Sequence, residues 1–423
     1  MPQTAIITAT ELEIRNRMGG EIIYNLGLDF SPIPSPSGSG KIGISDNTGA
    51  YTFYDTLELA YADSISGDTI VFFANVTDTI ARNLTITTDI NINLNGYTYI
   101  YSNTDTNDTI SINSNVNVKI SNGIIKREGG STLNAFQTLP ISVKNVNANA
   151  TFENVIFESQ ADGSTFYCTG GKIYGGTFIQ TGSPINSTYG VNITGASVKL
   201  YNVNFYSIQR NIFTAGAEIY NSFASSISSY SLELLSGKAY NCSFYSANLG
   251  ASLINGEMNN CSSLCDGAPA FNGGLNDNSI FNDCSGTSTT NSGFQGTGIL
   301  NNCTFYSTAT NGITLTLQAK IYNSVGISTA LRGINCASSP QIVANCSAIS
   351  KFNGANGDGI FCGTNNKIVN CYSEVTLNTN FGVTGTSSYI TGLTGNGMLQ
   401  LINPTTNNLM INTADVYNNI LIG

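Results

Sequence analysis

The sequence predicts an all-β solenoid, a single-stranded parallel β-helix with coils of about twenty residues. Three observations predict it. A short motif recurs at nearly constant spacing, the apolar positions around it alternate as they do in a strand, and that alternation breaks at one fixed residue. The motif is clearest in KAYNCSFYSAN from Lys238, with close variants in KLYNVNFYSIQ from Lys199 and LNNCTFYSTAT from Leu300.

The repeat is anchored on the asparagine. Its positions are Asn122, Asn154, Gly175, Asn202, Asn221, Asn241, Asn260, Asp283, Asn302, Asn323, Asn345 and Asn370, and the steps from Asn202 to Asn260 are 19, 20 and 19 residues. The residue two before each anchor is apolar in every coil, for example Leu200, Ile219, Ala239, Met258 and Phe281. One residue after the anchor stands a small side chain, and three after it, in half of the coils, a phenylalanine or other large apolar residue. A strand alternates inside and outside with period two. Inside positions at −2, +1 and +3 therefore require a corner at the anchor. Asparagine, aspartate and glycine are the residues that tolerate the left-handed backbone of such a corner.

Two ladders follow. Asn202, Asn221, Asn241, Asn260, Asp283, Asn302, Asn323, Asn345 and Asn370 stack as a structural corner row. At about 4.8 Å per coil their amides can bond to one another along the stack. Cys242, Cys261, Cys284, Cys303, Cys346 and Cys371 fill the small position behind the corner, where a thiol serves as a small hydrophobe. In-register side chains point the same way, which suits disulfide torsion poorly. Cys168, Cys265, Cys336 and Cys362 lie off this row and are expected to be buried as well. A leucine-rich repeat has a similar period but demands a dense leucine pattern that these coils lack.

At the ends the pattern changes. Residues 1–40 read as an N-terminal anchor segment, with a short helical candidate at Glu11–Met18 and the linker SPIPSPSGSG. Asp55 and Glu58 have capping-box spacing, and Leu57, Tyr61 and Ser64/Ile65 form an apolar stripe. They predict a short helix plugging the first coil. The solenoid occupies 41–375, and 376–423 reads as a C-terminal cap or oligomerisation segment.

Composition excludes several functions. Charged residues make up 10% of the chain, against about 25% in ordinary domains. Histidine is absent, which removes Ser-His-Asp and Cys-His catalysis and nearly all zinc chemistry. A net charge of −10, with no cluster of Lys and Arg along the sequence, argues against nucleic acid. No apolar run of about 18 residues exists to span a membrane, no export signal is visible at the start, and no cofactor or metal is expected.

Candidate chemistry rests on carboxylates. Glu257, Asp266 and Asp277 fall within two coils and are the best catalytic candidates; Asp283 stands at a corner and reads as a turn residue. Glu153, Glu158 and Asp162 form a second acidic group, Asp358 sits in the glycine-rich GANGDGIFCG, and Lys126, Arg127 and Glu128 read as a surface turn with local ion pairing. Tyr174, Tyr201, Tyr220, Tyr240 and Tyr322 precede their anchors directly and point outward. They are candidate glycan-facing groups, because rings and hydroxyls bind sugars by stacking and hydrogen bonding.

The order of a short helix, SGDTI, an NLTI strand, NLNGYTY and coils of h-x-N-C/V-x-F resembles right-handed parallel β-helix proteins of the pectate-lyase-like superfamily, over residues 45–375. With the separate N-terminal segment and non-repeating tail, it looks most like a bacteriophage tailspike or related virion appendage. That resemblance implies a homotrimer joined to other virion proteins through residues 1–40 and set against a host surface polysaccharide. The same superfamily implies two alternatives, a polysaccharide depolymerase and a bacterial surface adhesin.

Overall fold

The structure, a computed structural model, describes residues 6–8, 11–15, 21–25, 40–45 and 50–80. From there to 422 it describes all but 81–83, 104–106, 114, 129–142, 146–148, 161–164, 182–188, 209, 275–277, 338–340, 355–356, 377–380, 387–388, 396–397, 403–410 and 413–419. The chain winds as a parallel β-solenoid with three strands per turn. One turn shows the plan. A leading strand, Lys238–Tyr240, meets the corner at Asn241; a trailing strand, Ser243–Ser246, follows; a third strand, Leu249–Ile254, returns the chain to the next leading strand at Glu257–Asn259. Successive turns pair parallel and in register, as Lys238 with Glu257, Phe244 with Ser263 and Ala251 with Phe271.

Leading and trailing strands share one 31-stranded sheet bent at the corners, and the third strands stack as a separate 16-stranded sheet. The sequence reading took this third strand for a variable loop. Its segments are short and dissimilar (FNG, FQG, ITL, INC), and only stacking supplies the partners that make them strands.

The core is one continuous cluster running through the solenoid. Phe157, Phe178 and Phe205 stack face to face at 4.8 and 5.1 Å, and Phe271, Phe281, Phe294 and Phe305 interlock edge to face or tilted. All seven are at most 1% exposed, each contributing on the order of 1.5–3 kcal/mol by burial.

At the first coil a seven-residue helix, α1 (Leu57–Asp63), lays Leu57 and Ala60 on the core beside Ile42 and Ile44. Its N-cap is Thr56, whose hydroxyl accepts from the Leu59 amide, so the Asp55–Glu58 capping box does not form. Ile65, assigned to the apolar stripe, is 71% exposed; Ala60 takes its place at the core. The helical candidate at Glu11–Met18 is also corrected. Glu11–Arg15 is a strand between Ile6–Thr8 and Glu21–Asn25 in an antiparallel sheet, where ELEIR alternates with a strand's period, and residues 16–18 lie outside the described residues.

Candidate functional site

The three-residue leading strand fixes which side chains face out. Position −2 points into the core, and −3 and −1 point outward on either side of it. Because each turn repeats this register, the −1 residues form a row in which Tyr174, Tyr201, Tyr220 and Tyr240 are successive neighbours. Their rings stack at 5.1, 4.9 and 5.0 Å, with planes within 7–9° of parallel. Tyr322 stands apart, because Asn259, Asn282 and Asn301 occupy the row between it and Tyr240. Stacking has a chemical consequence. Inside the stack each ring face is covered by the next ring, so the surface offers ring edges and hydroxyls rather than open faces.

The −3 row lies alongside. Lys199 pairs with Glu218 at 2.9 Å and Lys238 with Glu257 at 3.5 Å, while the Tyr220 hydroxyl donates to Glu218 at 2.7 Å. The bond from Tyr220, and then that from Lys199, hold the Glu218 carboxyl below its usual range. The bond to Glu218, then burial, push the Tyr220 phenol well up. The Tyr240 phenol and then Glu257 raise Lys238, and Glu218 raises Lys199, so both ammonium groups are held in the charged form.

The corner residues all have positive φ, from +49° at Asn221 to +64° at Gly175, with Asp283 at +54°. Asn241 donates to Asn221 at 3.0 Å, Asn260 to Asn241 at 2.9 Å and Asn302 to Asp283 at 2.5 Å. Beside them a second amide run goes from Asn301 to Asn282 and from Asn282 to Asn259, each at 2.8 Å.

All ten cysteines are buried and unpaired with one another as disulfides. In the interior row each sulfur lies against main-chain carbonyls; Cys284, for example, is 3.2 Å from the Asn282 oxygen and 3.4 Å from that of Met258. Bonding to the Cys261 sulfur, followed by burial, drives the Cys242 thiol far up, and bonding to the Cys261 and then the Cys303 sulfur, followed by burial, does the same to Cys284.

Cys265 belongs to another row that the sequence reading missed. Five residues after the anchor stand Ser226, Ser246, Cys265, Ser288, Ser307, Ser328 and Ser350, all at most 1% exposed. The Ser307 hydroxyl donates to the Asn291 carbonyl at 2.6 Å and accepts from the amides of Ala309 at 3.2 Å and Thr310 at 2.9 Å. Ser246 does the same with Ser229, Asn248 and Leu249. This row satisfies the turn into the third strand. Its signal was present in the repeated final serine of the FYS motif.

The described acidic candidates sit on different elements, each with partners of its own. Glu257 faces out on a leading strand, bound to Lys238 and Asn282. Asp266 lies beyond the trailing strand, accepting from Tyr245 at 3.1 Å and Thr289 at 3.2 Å. Eight residues of chain, the corner and the trailing strand Ser262–Cys265 among them, lie between the two. Asp277 and Asp162 lie outside the described residues. Glu153 pairs with Lys119, and Glu158 with Lys126 at 3.3 Å. Arg127, expected in a surface turn, is instead fully buried at the inward +5 position, donating to the Asn107 carbonyl at 2.5 Å under the Tyr101 ring. Asp358 lies in a loop, as expected, just before the strand Ile360–Cys362, but is 6% exposed and bonded to Arg332 at 3.2 Å, whose guanidinium lies 4.0 Å over Phe361. Among the described residues no group of three or more Cys, Asp and Glu is placed to hold a metal ion, and no helix is long and apolar enough to cross a membrane.

No protein-family model matches the chain, and no curated protein does either. Among solved structures, PfbA, a surface adhesin of Streptococcus pneumoniae, is similar at 10% identity over 81% of this chain and 82% of that one, with a TM-score of 0.24. A likeness at that level carries no functional argument.

Proposed function

We propose that this solenoid is a non-enzymatic attachment protein, a rigid appendage whose leading-strand face binds a host-surface glycan. In this reading it is a virion component of the tailspike or fibre type, trimeric, with residues 1–40 joining it to the particle. The observation that supports glycan contact is the outward stack of Tyr174, Tyr201, Tyr220 and Tyr240, flanked by ordered Lys and Glu. Four hydroxyls repeat at roughly 5 Å on a scaffold that cannot rearrange, which suits a linear ligand with its own regular repeat of hydroxyls. The ligand is held edge-on, by hydrogen bonds.

The test joins three measurements on the full chain: solution mass by light scattering, retention on immobilised surface polysaccharides, and sugar release. The expected result is a trimer that binds and releases no sugar, with binding weakened by Tyr201→Phe. Release of reducing sugar would overturn the non-enzymatic reading. Failure to retain any polysaccharide would overturn glycan attachment.

A further inference from the structure

The six lysines Lys119, Lys172, Lys199, Lys238, Lys320 and Lys367 are scattered over 249 positions of the sequence. Parallel pairing gathers them. The register runs Lys119–Thr151–Lys172–Lys199–Glu218–Lys238–Glu257–Ile280–Ile299–Lys320–Ile342–Lys367, one unbroken −3 row on the outer side of the leading strands. Six of the ten lysines of the chain thus share one line, about 50 Å long at 4.8 Å per turn. Acids on the same face are Glu153, Glu218 and Glu257, so the face carries +6 − 3 = +3 in a chain of net −10. The remainder of the molecule then holds −13.

Three of the lysines are paired, to Glu153, Glu218 and Glu257. Lys172 and Lys320 are exposed and have no ion-pair partner among the described residues. Lys172 lies beside Tyr174, at the more exposed end of the tyrosine stack.

We propose that this stripe binds a linear anionic polysaccharide along the solenoid axis, lysines meeting its acidic groups and the tyrosine hydroxyls its neutral ones. The proposal rests on the glycan-attachment reading and specifies the ligand's charge. The acidic remainder of the molecule repels polyanions, so the stripe is where such a chain is steered. Charge density selects the class. A net +3 over about 50 Å suits a polymer with widely spaced anions, whereas DNA carries a phosphate about every 3.4 Å along each strand.

The test uses the full chain with hyaluronan, polygalacturonate, uncharged dextran and single-stranded poly-dT, each at low and moderate salt. Variants are Lys172→Gln with Lys320→Gln, and Lys351→Gln, outside the row, as control. The expected result is that one of the acidic glycans binds, weakens as salt rises, and is bound roughly tenfold less tightly by the double variant but not by the control. Glu218→Gln, which removes one negative charge from the row, tightens it. Dextran binding equal to that of the acidic glycans, and indifferent to the lysines, would overturn this proposal and leave glycan attachment standing. Absence of all glycan binding would overturn both. Displacement of the acidic glycan by poly-dT at lower concentration would overturn the choice of polymer.

Discussion

Replacing Ser307 with alanine should cost far more than its size suggests. The hydroxyl is fully buried and makes three bonds, one to the Asn291 carbonyl and two from the Ala309 and Thr310 amides. Alanine fits the space but takes the side-chain partner from two N–H groups and one C=O in a part-buried turn. At about 0.5–1.5 kcal/mol net per bond, the loss of three is about 1.5–4.5 kcal/mol. Ser307→Cys should cost about half as much, because Cys265 already fills this role in its own turn, its sulfur 3.3 Å from the Ala268 amide and 3.4 Å from the Asn248 carbonyl. Ser285→Ala, on the outward face of the trailing strand, should stay within about 0.5 kcal/mol. The chain has no tryptophan, so urea unfolding is followed by circular dichroism. Solenoids need not unfold in one step, and hydrogen exchange at the Ala309 and Thr310 amides gives the local readout. An alanine variant with an unchanged midpoint and unchanged protection at those amides would refute the reasoning.

Three further outcomes are expected. Asn260→Ala should destabilise by about 2 kcal/mol, since alanine resists the left-handed backbone at φ +51° and loses the bond to Asn241; Asn260→Gly should cost less, and equal losses in urea titrations would exclude backbone strain as the cause. The ten thiols should be inert to a thiol-exchange reagent in the folded protein and all react after denaturation, because every one is buried; rapid reaction in the native state would contradict the packing. Glu218 has a folded pKa below its unfolded one, so the stability it contributes is present above the ordinary carboxylate range and disappears as pH falls through the folded value. Melting temperature should therefore drop less on acidification below about pH 4 in Glu218→Gln than in the parent, and parallel curves would show that the Tyr220–Glu218–Lys199 network adds nothing.

The repeat itself determined a good deal. Apolar residues at −2, +1 and +3 with asparagine between them leave the chain only one way to bury one side and turn, and the +51° to +58° backbone of Asn122, Asn241, Asn260 and Asn370 follows from that local chemistry. The inward cysteines follow from the same parity. Other features depended on stacking. FNG and INC carry no strand signal of their own and become strands through the turns above and below. Arg127 looked like a surface charge because its neighbours Lys126 and Glu128 are outward, yet the alternation that exposes them buries it. The lysine row was invisible along the chain for a simple reason. Its members lie 27 to 82 residues apart, and only a register held constant from turn to turn converts residues distant in sequence into neighbours about 4.8 Å apart per turn.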